Sequence, residues 1–303
     1  MFSSQPYAAQ TEQLHVLRGH DQIWRLVIGL AVIAIVSLGL TAAFFFVIAR
    51  SGPRSLVGAL VDGSSPVAVL ILLGSFAAIW LGVLATIRWL HRRPVGVLIG
   101  PRAIAVRHFL TVCVAFALLS AVLTIAALVS GYAPASLVNQ PLTLHTEPAL
   151  WLMLLPLALL CLFVQISAEE LLFRGYLQRL LAVRFRTPLV WLVLPSVVFG
   201  LLHYDPANAG ENAGLIALWA GGVGLLMADL TARTGSLGAA CAVHFVNNVI
   251  AILVFGSPTT LSGLALFLLP YELSDPVAMQ QMLWLDLGFI FCGWGLARIV
   301  LRR

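Results

Sequence analysis

Residues 149–174 read ALWLMLLPLALLCLFVQISAEELLFR, and this stretch decides the class of the protein. Its apolar run, over about residues 149–172, is long enough for the roughly 20 residues that a helix needs to cross the hydrocarbon core of a bilayer. Two adjacent acids, Glu169 and Glu170, stand near the end of the run, and Arg174 follows them. The stretch therefore predicts a transmembrane helix that carries ionisable side chains.

The same kind of run recurs along the chain. Hydrophobic residues make up 61% of the 303 residues and charged residues 10%, whereas a soluble domain is about 25% charged. The runs do not alternate, so they predict helices and not the strands of a barrel. We expect an all-α polytopic membrane helix bundle with about eight transmembrane helices. The other seven runs cover about residues 24–48, 67–90, 108–129, 188–203, 213–232, 236–256 and 282–300. The run at 188–203 is short and the run at 236–256 contains polar residues, so both should need protein neighbours.

The basic residues predict an orientation. The net charge is +5, and all 17 basic residues are arginines. With the N-terminus inside and eight alternating spans, 15 of the 17 fall on the inner side, as the positive-inside rule requires. We therefore expect a multi-pass protein of the cell inner (cytoplasmic) membrane with both termini cytoplasmic. Residues 1–22 form a cytoplasmic N-terminal tail, and residues 23–303 form a single transmembrane domain. Arginines spread over loops predict contact with the lipid bilayer and no nucleic-acid partner.

Charged side chains inside an apolar run are costly and indicate function. Glu170 and Arg174 are four residues apart on a helix, so they share a face and can pair. Glu169 lies about 100° further round the helix, on the face shared with Gln165. One carboxylate is thus predicted to be neutralised, and the other is free to act elsewhere.

Two further pairs with the same four-residue spacing occur later in the chain. Phe199 and His203 stand near the end of one run, and His244 and Asn248 lie inside another. A Glu–His pair can deprotonate a water, and a His–Asn pair can stabilise an oxyanion, so this set suits amide hydrolysis without a covalent intermediate. The zinc motif HExxH is absent. Asp229 is expected to pair with Arg233. The remaining histidines are predicted to be surface or interface residues: His15, His20, His91, His108 and His145.

The motifs EExxxR, FxxxH and HxxxN, in this order on successive predicted helices, resemble the CPBP family. That family contains the CAAX prenyl proteases and bacteriocin-processing or self-immunity proteins, and it is also called Abi or type II CAAX endopeptidases. The resemblance implies a helical bundle around a cytosol-facing catalytic cavity, with the catalytic core at about 149–256. It implies an intramembrane endopeptidase, without cofactor, that acts on a peptide or membrane-protein substrate.

The resemblance also implies a role for each motif residue. Glu169 activates the water together with His203, while His244 and Asn248 form the oxyanion hole. Supporting roles fall to Glu170, Arg174 and Phe199.

Three alternatives remain open at this point. The chain could be a non-catalytic immunity or scaffold protein of the same family. It could be a proton-coupled transporter, although the lack of an internal repeat is evidence against that. It could also be a zinc enzyme with Glu169, His203 and His244 as ligands. We expect no metal, because the ligand set lacks Cys and Glu170 is occupied by Arg174.

One geometric condition follows from the runs themselves. With the helix ending near residue 172, Glu169 is near the inner end of its span and His203 near the outer end of the next, which puts them over 20 Å apart by rise per residue. The amphipathic stretch from Leu171 to Leu181 predicts that the helix continues and that Glu169 is deeper. We therefore expect the site in the inner half of the membrane.

Overall fold

The computed structural model describes residues 6–130 and 142–303. About 80% of the protein is helical. Within the described residues, six helices are long and apolar enough to cross a membrane: Ile23–Ser51, Pro66–Leu90, Arg102–Ala126, Pro148–Arg184, Pro206–Thr234 and Pro276–Leu301. The helices are α1 Ala8–Leu14, α2 Ile23–Ser51, α3 Arg54–Asp62, α4 Pro66–Leu90, α5 Arg102–Ser130, α6 Pro148–Arg184, α7 Leu189–Leu201, α8 Ala213–Thr234, α9 Gly238–Val254 and α10 Pro276–Leu301, with one-turn helices at Gly96–Ile99 and Pro206–Ala209. The predicted class, an all-α polytopic membrane protein, is confirmed.

Two of the apolar helices are shorter than the rest. They are α7 and α9, which correspond to the runs predicted to need protein neighbours. In α9 the stretch Gly238–Val243 is buried throughout, which agrees with that prediction.

Four helices begin in the same way, with a capping side chain followed by proline. The capping residues are Ser65, Glu147, Asp205 and Asp275, and each accepts hydrogen bonds from the first free backbone N–H groups of its helix. Proline is favoured at this position because it has no N–H and its φ is already helical. The N–H groups of Leu150 and Ala149 hold the pKa of the Glu147 carboxyl below its usual value. The four capped helix starts lie at one end of the bundle.

A small sheet lies at the same end. It joins β1 Thr143–Leu144, β2 Phe255–Gly256 and β3 Phe267–Leu268 in the order β1-β3-β2. β1 pairs with β3 antiparallel, and β2 pairs with β3 parallel. The sheet ties the start of α6 to the end of α9.

Small residues let the central helices pack closely. A Cβ on Gly200 of α7 would lie 2.5 Å from the Ala217 carbonyl oxygen of α8, so only glycine fits this crossing. Gly238, at the start of α9, packs in the same way against the backbone of Ala105 in α5. Close backbone approach through small residues is typical of helix packing in membranes.

The N-terminal segment packs into the arginine-rich end of the bundle. The Tyr7 hydroxyl donates to Asp229 Oδ1 at 3.0 Å, and Gln178 of α6 donates to the buried Gln10 of α1 at 3.2 Å. Asp229 also forms the predicted ion pair with Arg233, at 2.8 Å. Burial and the neighbouring Asp229 raise the pKa of Tyr7.

Two helix starts and two histidines differ from the sequence-based prediction, whereas the predicted continuation of α6 beyond residue 172 is present and reaches Arg184. α5 begins at Arg102 and α10 begins at Pro276, because polar residues at helix ends lower the hydropathy of a segment without ending the helix. His91 and His108 are buried, not at the surface. His91 Nε2 is 2.9 Å from the Tyr176 hydroxyl, and His108 Nδ1 is 3.1 Å from Ser236 Oγ.

Candidate active site

Glu169 and Glu170 lie within α6, well away from its ends. The helix is α-helical up to Glu170 and π-helical over Leu171–Leu177, before a last α-helical segment to Arg184. Short π-helical segments inside an α-helix are frequent at functional sites. The two acids thus stand immediately before the irregular segment of a continuous helix.

Glu170 is held by Arg174, as its position on the helix predicts. Arg174 Nη1 donates to Glu170 Oε1 at 3.0 Å, and the side chains are 2% and 0% exposed. The same guanidinium donates through Nη2 to the Gly224 carbonyl of α8 at 3.1 Å, and it lies 4.6 Å from the centre of the Phe199 ring of α7. Arg174 therefore connects three helices while it neutralises one of the two acids.

His244 of α9 stands between the two acids. Its Nδ1 is 2.9 Å from Glu170 Oε1, and its Nε2 is 3.7 Å from Glu169 Oε2. An ionised carboxylate only accepts, so Nδ1 carries a hydrogen and donates it to Glu170. Nε2 can then donate only in the imidazolium form. His244 thus connects both acids of α6 to α9.

Glu169 has different partners from its neighbour. Gln165 Nε2 donates to Glu169 Oε1 at 2.6 Å, and Asn248 Nδ2 donates to Gln165 Oε1 at 3.1 Å. Among the described residues Arg174 makes no ion pair with Glu169, whose side chain stays 12% exposed. Glu169 Oε2 is the oxygen that faces His244, and this oxygen accepts no hydrogen bond within the described ranges.

His203 is oriented by Phe199. Its Nδ1 lies 2.8 Å from the Phe199 carbonyl oxygen, and the two rings are 4.6 Å apart. A carbonyl oxygen only accepts, so Nδ1 carries the hydrogen and Nε2 of the neutral ring is an acceptor. The Phe199 ring also contacts His244 edge-on at 6.4 Å. Phe199 therefore connects His203 to the site. Within the described residues, the hydrogen bond of the His203 ring is made with Phe199 and not with Glu169.

Glu169 and His203 lie at matching distances from the segment that connects α6 and α7. Glu169 is fifteen residues before Arg184, the last residue of α6, and His203 is fourteen residues after Leu189, the first of α7. At 1.5 Å per residue both distances are about 21–22 Å. A helix ending near residue 172 would put Glu169 and His203 over 20 Å apart along the bundle. Because α6 continues, as its amphipathic stretch predicted, this separation does not arise.

The turn between α8 and α9 brings His244 to the same level. Arg179 Nη2 donates to the Gly235 carbonyl at 2.8 Å, which places this turn ten residues, or about 15 Å, below Glu169 along α6. α9 begins at Gly238 after this turn, and His244 lies six residues further along it, where its Nε2 is 3.7 Å from Glu169 Oε2. The motif residues of α6, α7 and α9 therefore meet at one level of the bundle.

The possible zinc ligands were Glu169, His203 and His244. Within the described ranges, no group of three or more His, Cys, Asp or Glu side chains is placed to hold a metal ion. Glu170, the nearest further acid, is engaged by Arg174 and His244. The expectation of a metal-free site stays a prediction.

The sequence did not reveal two participants of the site. Gln165 was recognised only as a residue on the face of Glu169, although it bonds both Glu169 and Asn248. Gly224 provides a backbone carbonyl, and no side-chain pattern can indicate such a group. An uncharged polar residue one turn before a buried acid was the available signal for Gln165.

Comparison with known proteins agrees with the motifs. Residues 149–250 match the family model for type II CAAX prenyl endopeptidases, Rce1-like. The match runs from α6 into α9 and contains Glu169, Glu170, Arg174, Phe199, His203, His244 and Asn248. Over this segment, about a third of the chain, the predicted resemblance to the CPBP family of CAAX-type proteases is confirmed.

A curated protein is similar to part of the chain. The chain is 36% identical over 100 residues to a protein of Bacillus subtilis (strain 168) described as "Uncharacterized protein YyaK". The similar region covers 32% of this chain and 32% of the relative, so the match spans about a third of the relative's length. No solved structure gives a significant match.

Proposed function

We propose that the protein is an intramembrane glutamic endopeptidase that hydrolyses a peptide bond with an activated water. The observation that carries this proposal is the unequal environment of two adjacent acids. Glu170 is fully buried, with Oε1 bonded by Arg174 and His244 and with Oε2 shut off from solvent, whereas Glu169 is partly exposed and its Oε2 has no hydrogen bond within the described residues. A carboxylate with a free, accessible oxygen beside an imidazole is equipped to take a proton from water.

The geometry supports a complete reaction. Glu169 removes a proton from a water whose second hydrogen is accepted by Nε2 of His203, and the water oxygen attacks the carbonyl carbon of the scissile bond. The resulting oxyanion accepts hydrogen bonds from the Asn248 amide and from Nε2 of protonated His244. Collapse of the intermediate breaks the C–N bond, and the proton held by Glu169 passes to the leaving nitrogen.

The proposal includes a membrane arrangement. The six long apolar helices, together with α7 and α9, make eight spans with both termini on the cytoplasmic side of the cytoplasmic membrane, and the cavity opens to the cytosol. Support comes from the arginine distribution and from the four capped helix starts at the opposite end. The substrate is a peptide or a membrane-protein segment that approaches in the bilayer.

The test is cleavage of a peptide library by the purified full-length protein in detergent or nanodiscs. We expect cleavage by the wild type and by Glu211→Gln, since Glu211 is exposed in the short 3₁₀ helix Gly210–Asn212 that precedes α8. Glu169→Gln should abolish it. If the wild type cleaves nothing but retains a bound peptide, the non-catalytic immunity or scaffold alternative replaces the peptidase.

A further inference from the structure

Gln165 is the residue that connects two motifs of the site. It is 7% exposed and lies one helical turn before Glu169 in α6. Its Nε2 donates a hydrogen bond to Glu169 Oε1 at 2.6 Å, and its Oε1 accepts one from Asn248 Nδ2 at 3.1 Å. We propose that Gln165 is a positioning residue that sets the orientation of both the base Glu169 and the oxyanion donor Asn248. This inference rests on the proposed peptidase function.

The direction of these hydrogen bonds follows from the charge on Glu169. An ionised carboxylate only accepts, so the Gln165 amide must turn its NH₂ group toward Glu169. Its carbonyl oxygen then faces Asn248, which must in turn present its own NH₂ group. A flipped Gln165 would place a carbonyl oxygen against the carboxylate and an NH₂ group against that of Asn248. The ionised base thereby selects the orientation of an amide on another helix.

The consequences concern the two atoms that react. Gln165 occupies Oε1 of Glu169 and leaves Oε2, the oxygen 3.7 Å from His244 Nε2, free to take the proton of the water. It uses one hydrogen of the Asn248 NH₂ group and leaves the second hydrogen for the oxyanion. Without Gln165, the Asn248 amide has no partner that prevents it from turning its oxygen toward the oxyanion.

The test variant is Gln165→Leu, which keeps similar volume and removes both hydrogen bonds. Because a misplaced reacting group costs about 10²-fold, we expect kcat to fall by about 10- to 100-fold with KM nearly unchanged. The matched control is Gln178→Leu in the same helix. Gln178 is fully buried and donates two hydrogen bonds through Nε2, to Gln10 and to the Ala228 carbonyl, but it lies away from the site. It should lower the thermal stability and leave kcat per folded molecule near the wild-type value.

A double-variant comparison separates positioning from mere structure. Since Gln165 acts through Glu169 and Asn248, Gln165→Leu combined with Asn248→Ala should reduce kcat by much less than the product of the single effects. A product of the two effects, or equal kcat losses in Gln165→Leu and Gln178→Leu, would overturn the proposal. If Gln165→Leu does not fold, Gln165→Met, which keeps the unbranched length, takes its place.

The same experiment distinguishes failure of this inference from failure of the proposed function. If the wild type turns over and Glu169→Gln does not, but Gln165→Leu keeps the wild-type kcat, only the role of Gln165 is wrong. If the wild type itself has no turnover, the peptidase proposal fails and the positioning role is refuted with it.

Discussion

The same chemical change at two adjacent residues should give opposite results. Glu169→Gln and Glu170→Gln each replace one carboxylate by an amide of the same shape. Glu169 is 12% exposed and has no ion pair with Arg174 within the described residues, whereas Glu170 is 0% exposed and binds Arg174 and His244. We expect the first variant to lose catalysis and keep its stability, and the second to lose stability and activity together.

The magnitudes follow from these contacts. Removing one partner of a buried ion pair costs about 3–5 kcal/mol. Arg174 keeps the Gly224 carbonyl and the Phe199 ring, and the new amide oxygen can still accept its hydrogen bond, so we expect about 3 kcal/mol for Glu170→Gln. For Glu169→Gln, Gln165 can still donate to the amide oxygen, and the stability should change by less than about 1 kcal/mol. Removal of a general base lowers the rate by about 10²–10⁴.

The assay is turnover of one cleavable peptide, measured beside thermal unfolding in the same detergent. Each rate is divided by the fraction of protein that elutes as folded monodisperse material, so that loss of fold is not counted as loss of catalysis. If Glu170→Gln is well folded and inactive while Glu169→Gln keeps wild-type turnover, the assignment of the two acids is wrong and their roles must be exchanged.

Three further expected outcomes test other parts of the structure. Reporter fusions after Gly100, before α5, and after Pro206, before α8, should lie on opposite sides of the membrane; the same side for both would refute the topology. Treatment with a chelator should leave turnover intact, and loss of turnover with rescue by Zn²⁺ would reassign Glu169, His203 and His244 as ligands. Tyr7→Phe removes one hydrogen bond to Asp229, and Asp229 keeps Arg233 and Trp294 as partners. The variant should therefore lower the free energy of unfolding by about 0.5–1.5 kcal/mol without a change in turnover. A loss of turnover at unchanged stability would contradict this view of the N-terminal segment.

The sequence predicted the class of fold because the bilayer leaves few choices. An apolar run of about 20 residues can satisfy its backbone in lipid only as a helix. Hydropathy alone predicted the helix ends less well: it falls near residue 172 of α6, and only the amphipathic stretch from Leu171 to Leu181 indicated that the helix continues, as it does to Arg184. Arg174, Gln178 and Arg179 of that extension are buried against protein, and Arg184 at its end is exposed. Hydropathy measures transfer to lipid, so it cannot recognise a helix that passes through protein.

Within the site, the sequence predicted contacts inside one helix and missed contacts between helices. The pairing of Glu170 with Arg174 follows from a spacing of four residues and is present at 3.0 Å. The contacts of His244 with both acids join residues over 70 positions apart, and no spacing rule reaches across such a distance. The resemblance to a family brought these residues together before the structure placed them at one level.

Arg174 explains why the three motifs depend on one another. Its guanidinium binds Glu170 in α6, the Gly224 carbonyl in α8 and the face of the Phe199 ring in α7. Phe199 in turn orients His203 through its carbonyl oxygen, and Glu170 orients His244 through the hydrogen on Nδ1. Each histidine is therefore held by a group that Arg174 itself contacts. One buried cation thus links the orientations of His203 and His244, so we expect damage to the EExxxR motif to disturb both FxxxH and HxxxN.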